Sequence, residues 1–217
     1  MPVKVGLKYI EKWNSSMEKA VCAYEQEPIV KGKIVFYGPS YFTRWSTKFG
    51  MIPLADAVRG KSGNACCINR GFGSSCAEHQ LYYYPRMVRP LEPDVLVYHS
   101  HGNGGAFGYT NEETWEIAQR VIIYTMTDFP NAHIYLCSSN PSRDMTDEQI
   151  EQKKLYNSWV KEFADSFENC FYLDIFGDKR FWNPGIFVQD GVHYNQKGYD
   201  LYTSFFQNAL KDELEKY

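Results

Sequence analysis

Four times along this chain a short apolar run stops at a turn and gives way to a longer stretch of helical spacing. The runs are KIVFY (33–37), ACCIN (65–69), DVLVYH (94–99) and HIYLC (133–137), and the turns that close them read GPS, NRGFGSS, HGNGG and SSNPS. A fifth run, CFYL (170–173), precedes the final helical stretch. Runs this short, bounded by Gly, Ser, Asn and Pro, read as strands buried on both faces. The intervening stretches predict helices over 7–26, 76–88, 111–128, 147–167 and 195–214, with Thr110 or Asn111 capping the third. On the first helix Tyr9, Ile10, Trp13, Met17, Val21 and Tyr24 form the apolar face. Strands alternating with helices imply βαβ units, and so a parallel sheet covered by helices on both sides. The expectation is an α/β chain, a three-layer α/β/α sandwich around about five parallel strands. Ligands bind such sheets beyond the carboxyl ends of the strands, which puts function in the four turns.

The 217 residues show no internal repeat, no low-complexity tract and no linker. We therefore expect a single domain over 1–217, with 1–30 as an N-terminal helical extension packed on it. Lys and Arg total 23 against 26 Asp and Glu, a formal charge of -3, which gives no electrostatic footprint for nucleic acid. No apolar run approaches the ~18 residues of a bilayer span. The 6 cysteines lack a CxxC pair or a regular framework, which predicts reduced, mostly buried thiols and a cytoplasmic protein. A leader removed before residue 1 stays open. Tyrosine alone accounts for 17 residues; most are expected in packing, with Tyr82-Tyr83-Tyr84 divided between core and surface.

Three pieces of chemistry sit in or near the turns. Ser40 follows a strand and a Gly-Pro turn, so its hydroxyl lies at the carboxyl edge of the sheet near the start of a helix; a plain N-cap is the equal alternative. Asp190 and His193 stand three apart ahead of the last helix, where a histidine serves a serine as base and the aspartate orients its ring. Asn103 lies between glycines after the third strand. Its amide can face an oxyanion, or it is a left-handed turn residue.

Together the stretches IVFYGPSYFTRW, INRGFGSS, HGNGG and FVQDGVHYNQKGY resemble the four sequence blocks of the SGNH hydrolases, the GDSL-type esterases and lipases. They fall in that family's order across residues 33–199, and are most similar to the small bacterial members that resemble platelet-activating-factor acetylhydrolase. The resemblance implies a flavodoxin-like SGNH fold and a serine esterase acting on a small-molecule ester, with a short, acetyl-type acyl group and no cofactor. It assigns Ser40 as nucleophile, His193 as general base and Asp190 as the residue that orients it. The oxyanion hole would comprise the backbone amides of Ser40 and of Gly73 or Ser74, with the side chain of Asn103. Pro39, Ser74 and Gly104 depart from the family pattern, as does His101 at a position that is usually glycine. These departures motivate the rival expectation of a catalytically impaired relative that binds a carbohydrate.

Tyr41, Phe42, Phe107 and Tyr109 directly follow the first and third strands and are read as pocket-lining. Arg70 and Arg143 lie in site-side turns, placed to meet a polar or anionic leaving group. The chain has no G-x-S-x-G elbow, and NRGFGSS lacks the GK[ST] ending of a phosphate cradle. His99 and His101 have no accompanying ligand set, so no metal is expected. A homodimer stays open.

Overall fold

The computed structural model describes residues 10–217, with side chains described from Met17 onward. In chain order the main elements are α1 (Ile10–Glu25), β1 (Ile34–Gly38), α2 (Ser40–Thr43), α3 (Leu54–Ala57), β2 (Cys67–Gly71), α4 (Ala77–Met87), β3 (Val95–Tyr98), α5 (Asn111–Asp128), β4 (His133–Cys137), α6 (Asp147–Asp165), β5 (Cys170–Leu173), α7 (Gln196–Ala209) and α8 (Lys211–Leu214). Tyr9 and the side chains of Ile10 and Trp13 lie outside the described residues.

The five strands pair in parallel in the order β2-β1-β3-β4-β5. Successive side chains of a strand point to opposite faces, and two cores result. Val35, Tyr37, Leu96, Tyr98, Ile134 and Leu136 face α1, α4, α5 and α6. Ile34, Phe36, Val95, Val97, Tyr135 and Cys137 face α2, α3, α7 and α8. Each buried Val, Leu or Ile contributes about 1.5–3 kcal/mol, so the continuous apolar runs are what hold the sheet between its layers. Tyr37 and Tyr98 join this core because their hydroxyls find partners. Tyr37 donates to the Gln80 carbonyl at 2.6 Å and Tyr98 to Gln80 Oε1 at 2.8 Å. Tyr83 and Tyr84 are buried and Tyr82 is exposed, as their helical spacing predicts.

α5 and α6 begin where their Thr-x-x-Glu and Thr-x-x-Gln signatures put them. Thr110 Oγ1 accepts from the Glu113 amide at 3.2 Å, and Thr146 Oγ1 from the Gln149 amide at 3.2 Å. Two elements differ from expectation. β2 starts two residues later than the apolar run, because its register on β1 runs from Ile34–Cys67 to Gly38–Gly71. Ala65 instead bridges Arg59. The last helix divides at Leu210, whose non-helical backbone separates α7 from α8. All six cysteines are free, five of them buried and Cys22 exposed. No helix among the described residues is long and apolar enough to cross a membrane.

The strand order reverses direction between β1 and β3: the chain leaves β1 toward one edge and resumes on its other side. In open α/β sheets such a reversal marks the binding crevice at the carboxyl edge of the strands. Ser40 follows β1 and Asn103 follows β3.

Candidate active site

β1 closes against β3 before its turn. A Cβ on Gly38 would sit 2.9 Å from the His99 carbonyl oxygen, so only glycine fits there. Pro39 follows, and Ser40 opens α2. The amides of a helix's first turn have no partner inside the helix, which leaves the Ser40 N–H available. Asn69 on β2 braces this turn from the side. Its Nδ2 donates to the Phe42 carbonyl at 2.8 Å, while its Oδ1 accepts from the Gly71 amide at 2.8 Å. Close packing completes the brace, because a Cβ on Gly71 would fall 2.4 Å from the Thr43 nitrogen. Ser40 itself is half-buried and open to a ligand.

His193 reaches this serine across 153 positions of sequence, with Nε2 2.8 Å from Ser40 Oγ. Its Nδ1 lies 2.7 Å from Asp190 Oδ2. Asp190 also folds its own turn: Oδ1 accepts from the Val192 and His193 amides, both at 2.9 Å. Gly191 supplies the left-handed residue that this turn needs, with φ of 69°. Burial works against the Asp190 carboxylate, but the His193 amide, the His193 ring and the Val192 amide together hold it down at about 2. It therefore stays ionised at every working pH and stabilises a positive charge on the ring. Arg44 adds a more distant cation, its Nη1 3.7 Å from Asp190 Oδ2.

Two residues expected to line a substrate pocket are instead tied to this turn. Tyr41 OH donates to the Val192 carbonyl at 2.9 Å, and Tyr199 OH on α7 donates to the Tyr41 carbonyl at 2.8 Å. Burial raises the Tyr41 phenol, which keeps it a donor. Arg143 donates its amide to the Gly191 carbonyl at 2.7 Å and its Nη2 to the Gln189 carbonyl at 3.3 Å. A positioning residue should show itself in kcat more than in KM. Arg143→Ala keeps the main-chain bond to Gly191 and, of its contacts with this turn, loses only the Nη2 bond to Gln189. For any substrate that Ser40 and His193 turn over it is therefore expected to lower kcat by up to about tenfold through misplacement of His193, with KM for a neutral substrate little changed. Steady-state kinetics decide this, since a residue that grips the leaving group would raise KM instead.

The third loop meets the first two. Asn103 Nδ2 donates to the Ser75 carbonyl at 2.9 Å; an amide nitrogen carries two hydrogens, so this bond fixes the side chain and leaves one N–H. A Cβ on Gly102 would lie 3.3 Å from Pro39 Cγ, which shows how closely the β1 and β3 loops approach. The other expected residues sit around this centre rather than in it. Phe107 packs on the His79 ring with centroids 5.3 Å apart, and Tyr109 OH bonds Glu78. Phe42 is buried against Phe36 and Phe206. Arg70 is turned toward the N-terminal side: its Nη1 pairs with Glu27 at 2.5 Å and its guanidinium lies over the Tyr24 ring at 4.8 Å.

No protein-family model and no curated protein matches the chain. Solved structures do. A Streptococcus pneumoniae protein provisionally described as a platelet activating factor superposes with a TM-score of 0.71 at 19% identity, over 96% of this chain and 97% of that one. A GDSL-like lipase from Bacteroides thetaiotaomicron gives 0.67 at 16%, over 96% of this chain and 100% of that one. A variant of a Geobacillus acetyl-xylooligosaccharide esterase gives 0.64 at 16%, over 84% of this chain and 95% of that one. The chain has the SGNH hydrolase fold. Identities this low establish the fold and leave the chemistry to the residues.

Within the SGNH fold each departure from the usual pattern has a local reason. Ser74 stands where the second block usually has glycine, and its φ is 63°. A left-handed backbone costs a residue with a Cβ about 1–2 kcal/mol, which accounts for the usual glycine. Ser74→Gly is accordingly expected to raise Tm by about 2–8 °C, as read by thermal unfolding; an unchanged or lower Tm would mean that the serine side chain compensates. At Gly104 an added Cβ would fall 2.5 Å from Thr114 Oγ1 on α5, which leaves room only for glycine. Pro39 packs its ring toward Gly102, a contact a smaller or polar side chain would not make in the same way. His101 sets its ring edge-on to Tyr156, centroids 4.7 Å apart. His99 lies fully buried beside the Tyr41 and Phe42 rings at 5.7 and 6.0 Å.

Proposed function

We propose that this chain is a serine esterase that works through an acyl-enzyme on esters of short acyl groups. The observation that carries the reading is the continuous line from Asp190 through His193 to Ser40, with contacts of 2.7 and 2.8 Å. A serine hydroxyl is a weak nucleophile until an adjacent base takes its proton. His193 Nε2 is within reach of that proton, and Asp190 on Nδ1 holds the ring in the tautomer that leaves Nε2 free to accept.

Ser40 Oγ attacks the ester carbonyl carbon as His193 takes the proton. The carbonyl π pair moves to oxygen, and the oxyanion is met by the Ser40 N–H, the N–H of Gly73 or Ser74, and the remaining Nδ2–H of Asn103. Collapse re-forms the carbonyl and breaks the C–O bond to the alcohol, which leaves with the proton from His193. Water then repeats the sequence on the acyl-enzyme, with His193 as base, and releases the acid. Ester, water and these side chains account for every proton and electron pair.

Short acyl groups are proposed because one protein of this fold is named as an acetyl-xylooligosaccharide esterase. The rival reading, a carbohydrate-binding relative without turnover, rested on Pro39, Ser74 and Gly104. Gly104 is fitted to Thr114 and Ser74 carries a left-handed backbone, but neither touches the Asp190–His193–Ser40 line on which the esterase reading stands. A series of 4-nitrophenyl esters tests the proposal. Acetate and butyrate should be hydrolysed with kcat/KM about tenfold or more above octanoate, and Ser40→Ala should hydrolyse none of them. Equal rates for wild type and Ser40→Ala would overturn it.

A further inference from the structure

A cavity of about 450 Å3 lies beside the crevice, bordered by Gly102 and Val192, the sequence neighbours of Asn103 and His193. On its α6 side it is lined by Lys153 and Gln152, and on its β3 side by His101. Lys153 Nζ donates to the Asn140 carbonyl at 2.5 Å. No described carboxylate pairs with it, and burial pushes its ammonium down to about 8. Glu148 lines the same cavity but stands on its exposed rim, unpaired with Lys153. The two nearest titratable neighbours, His99 and His101, are held neutral by burial, with the Lys153 charge adding to the effect. Both His99 ring nitrogens are buried without a hydrogen-bond partner.

Lys153 is half-buried at the cavity wall, with one donor spent on the Asn140 carbonyl and two left for a ligand. An anion placed in the cavity would meet a cation that no described carboxylate already neutralises. Resting on the esterase reading above, we infer that this cavity binds a carboxylate carried by the substrate and that Lys153 selects for it. The cationic contact expected from Arg70 and Arg143 is thus supplied from α6, because those two arginines are committed to Glu27 and to the 189–191 turn. The carboxylate belongs either to the acyl part or to the alcohol part of the ester, and the two are separable by experiment.

Two matched pairs make the test, each setting a carboxylate against its neutral amide. Monoethyl succinate and ethyl succinamate carry the group on the acyl side. Acetoxyacetate and acetoxyacetamide carry it on the alcohol side. Acid release is followed by pH-stat for wild type, Lys153→Gln and Lys153→Arg. The carboxylate-to-amide ratio of kcat/KM should exceed one in wild type for at least one pair. Lys153→Gln should lower that ratio roughly 10- to 100-fold through KM, and Lys153→Arg should restore part of it. A lysine that only tethers the Asn140 turn would change both members of a pair alike. A ratio unaffected by Lys153→Gln in both pairs overturns the inference.

Calorimetric titration of Ser40→Ala with acetoxyacetate and monoethyl succinate supplies a readout that needs no turnover. Binding that disappears in Ser40→Ala combined with Lys153→Gln supports the site, even in a chain that hydrolyses nothing. That last outcome would count against the esterase reading alone.

Discussion

Replacing His193 with alanine is expected to lower kcat for 4-nitrophenyl acetate by roughly four to six orders of magnitude, with part of the loss restored by added imidazole. The size of the effect follows from the geometry. With Nε2 2.8 Å from Ser40 Oγ, this ring is the group placed to take the serine proton and return it to the alcohol. Without it the hydroxyl attacks as a neutral, poor nucleophile. The turn should survive the substitution. Asp190 Oδ1 still accepts the two backbone amides, while Tyr41 and Arg143 still hold the Val192, Gly191 and Gln189 carbonyls. The check is steady-state kinetics beside a thermal melt: an intact melt with a loss below about a hundredfold would place the base elsewhere.

Asn103→Ala is expected to reduce kcat by about 10²–10³-fold while KM stays close to wild type. In the proposed mechanism the second N–H of this amide meets charge that exists only in the tetrahedral intermediate, so its removal would touch the transition state and spare ground-state binding. The same substitution also removes the bond to the Ser75 carbonyl, and a typical hydrogen bond contributes about 0.5–1.5 kcal/mol to stability. Asn103→Asp separates the two effects. It keeps the shape but presents oxygen lone pairs to a developing negative charge, so it should be at least as damaging to kcat. If Asn103→Ala raised KM and left kcat intact, the amide would be binding the ground state and the hole would have to be drawn without it.

Much of this was open to reading from residues alone, and the limits have physical causes. HIYLC and CFYL are continuous apolar runs that became β4 and β5 at the expected residues, because a strand covered on both faces needs no polar alternation. The end of β2 was less readable. As an edge strand it carries Asn69 and Arg70, whose polar side chains brace α2 and pair with Glu27, so its hydrophobic signal ends before its hydrogen bonds do. The break at Leu210 is hidden for the opposite reason: the apolar spacing of α7 continues into α8 although the backbone does not.

The site divides in the same way. Ser40, Asp190 and His193 were candidates because each sits in a turn whose local residues carry information. Tyr41 and Arg143 act on backbone carbonyls 151 and 46 positions away, and a carbonyl bears no residue-type signature. Lys153 was missed because it lies on α6, outside the four turns, and Arg44, although inside the first motif stretch, was missed because its partner Asp190 lies 146 positions on. Ser74 and Gly104 looked like losses in sequence. In the structure one is a left-handed residue and the other a place where Thr114 leaves no room.

The central claim is that Ser40 is an activated nucleophile, and a fluorophosphonate probe tests it without any assumption about substrate. Ser40 Oγ displaces fluoride from phosphorus, so wild type should gain the mass of one probe less hydrogen fluoride, located by peptide mass spectrometry on Ser40, and Ser40→Ala should gain none. A wild-type chain that stays unmodified, or one that carries the adduct on a different serine, would contradict the account.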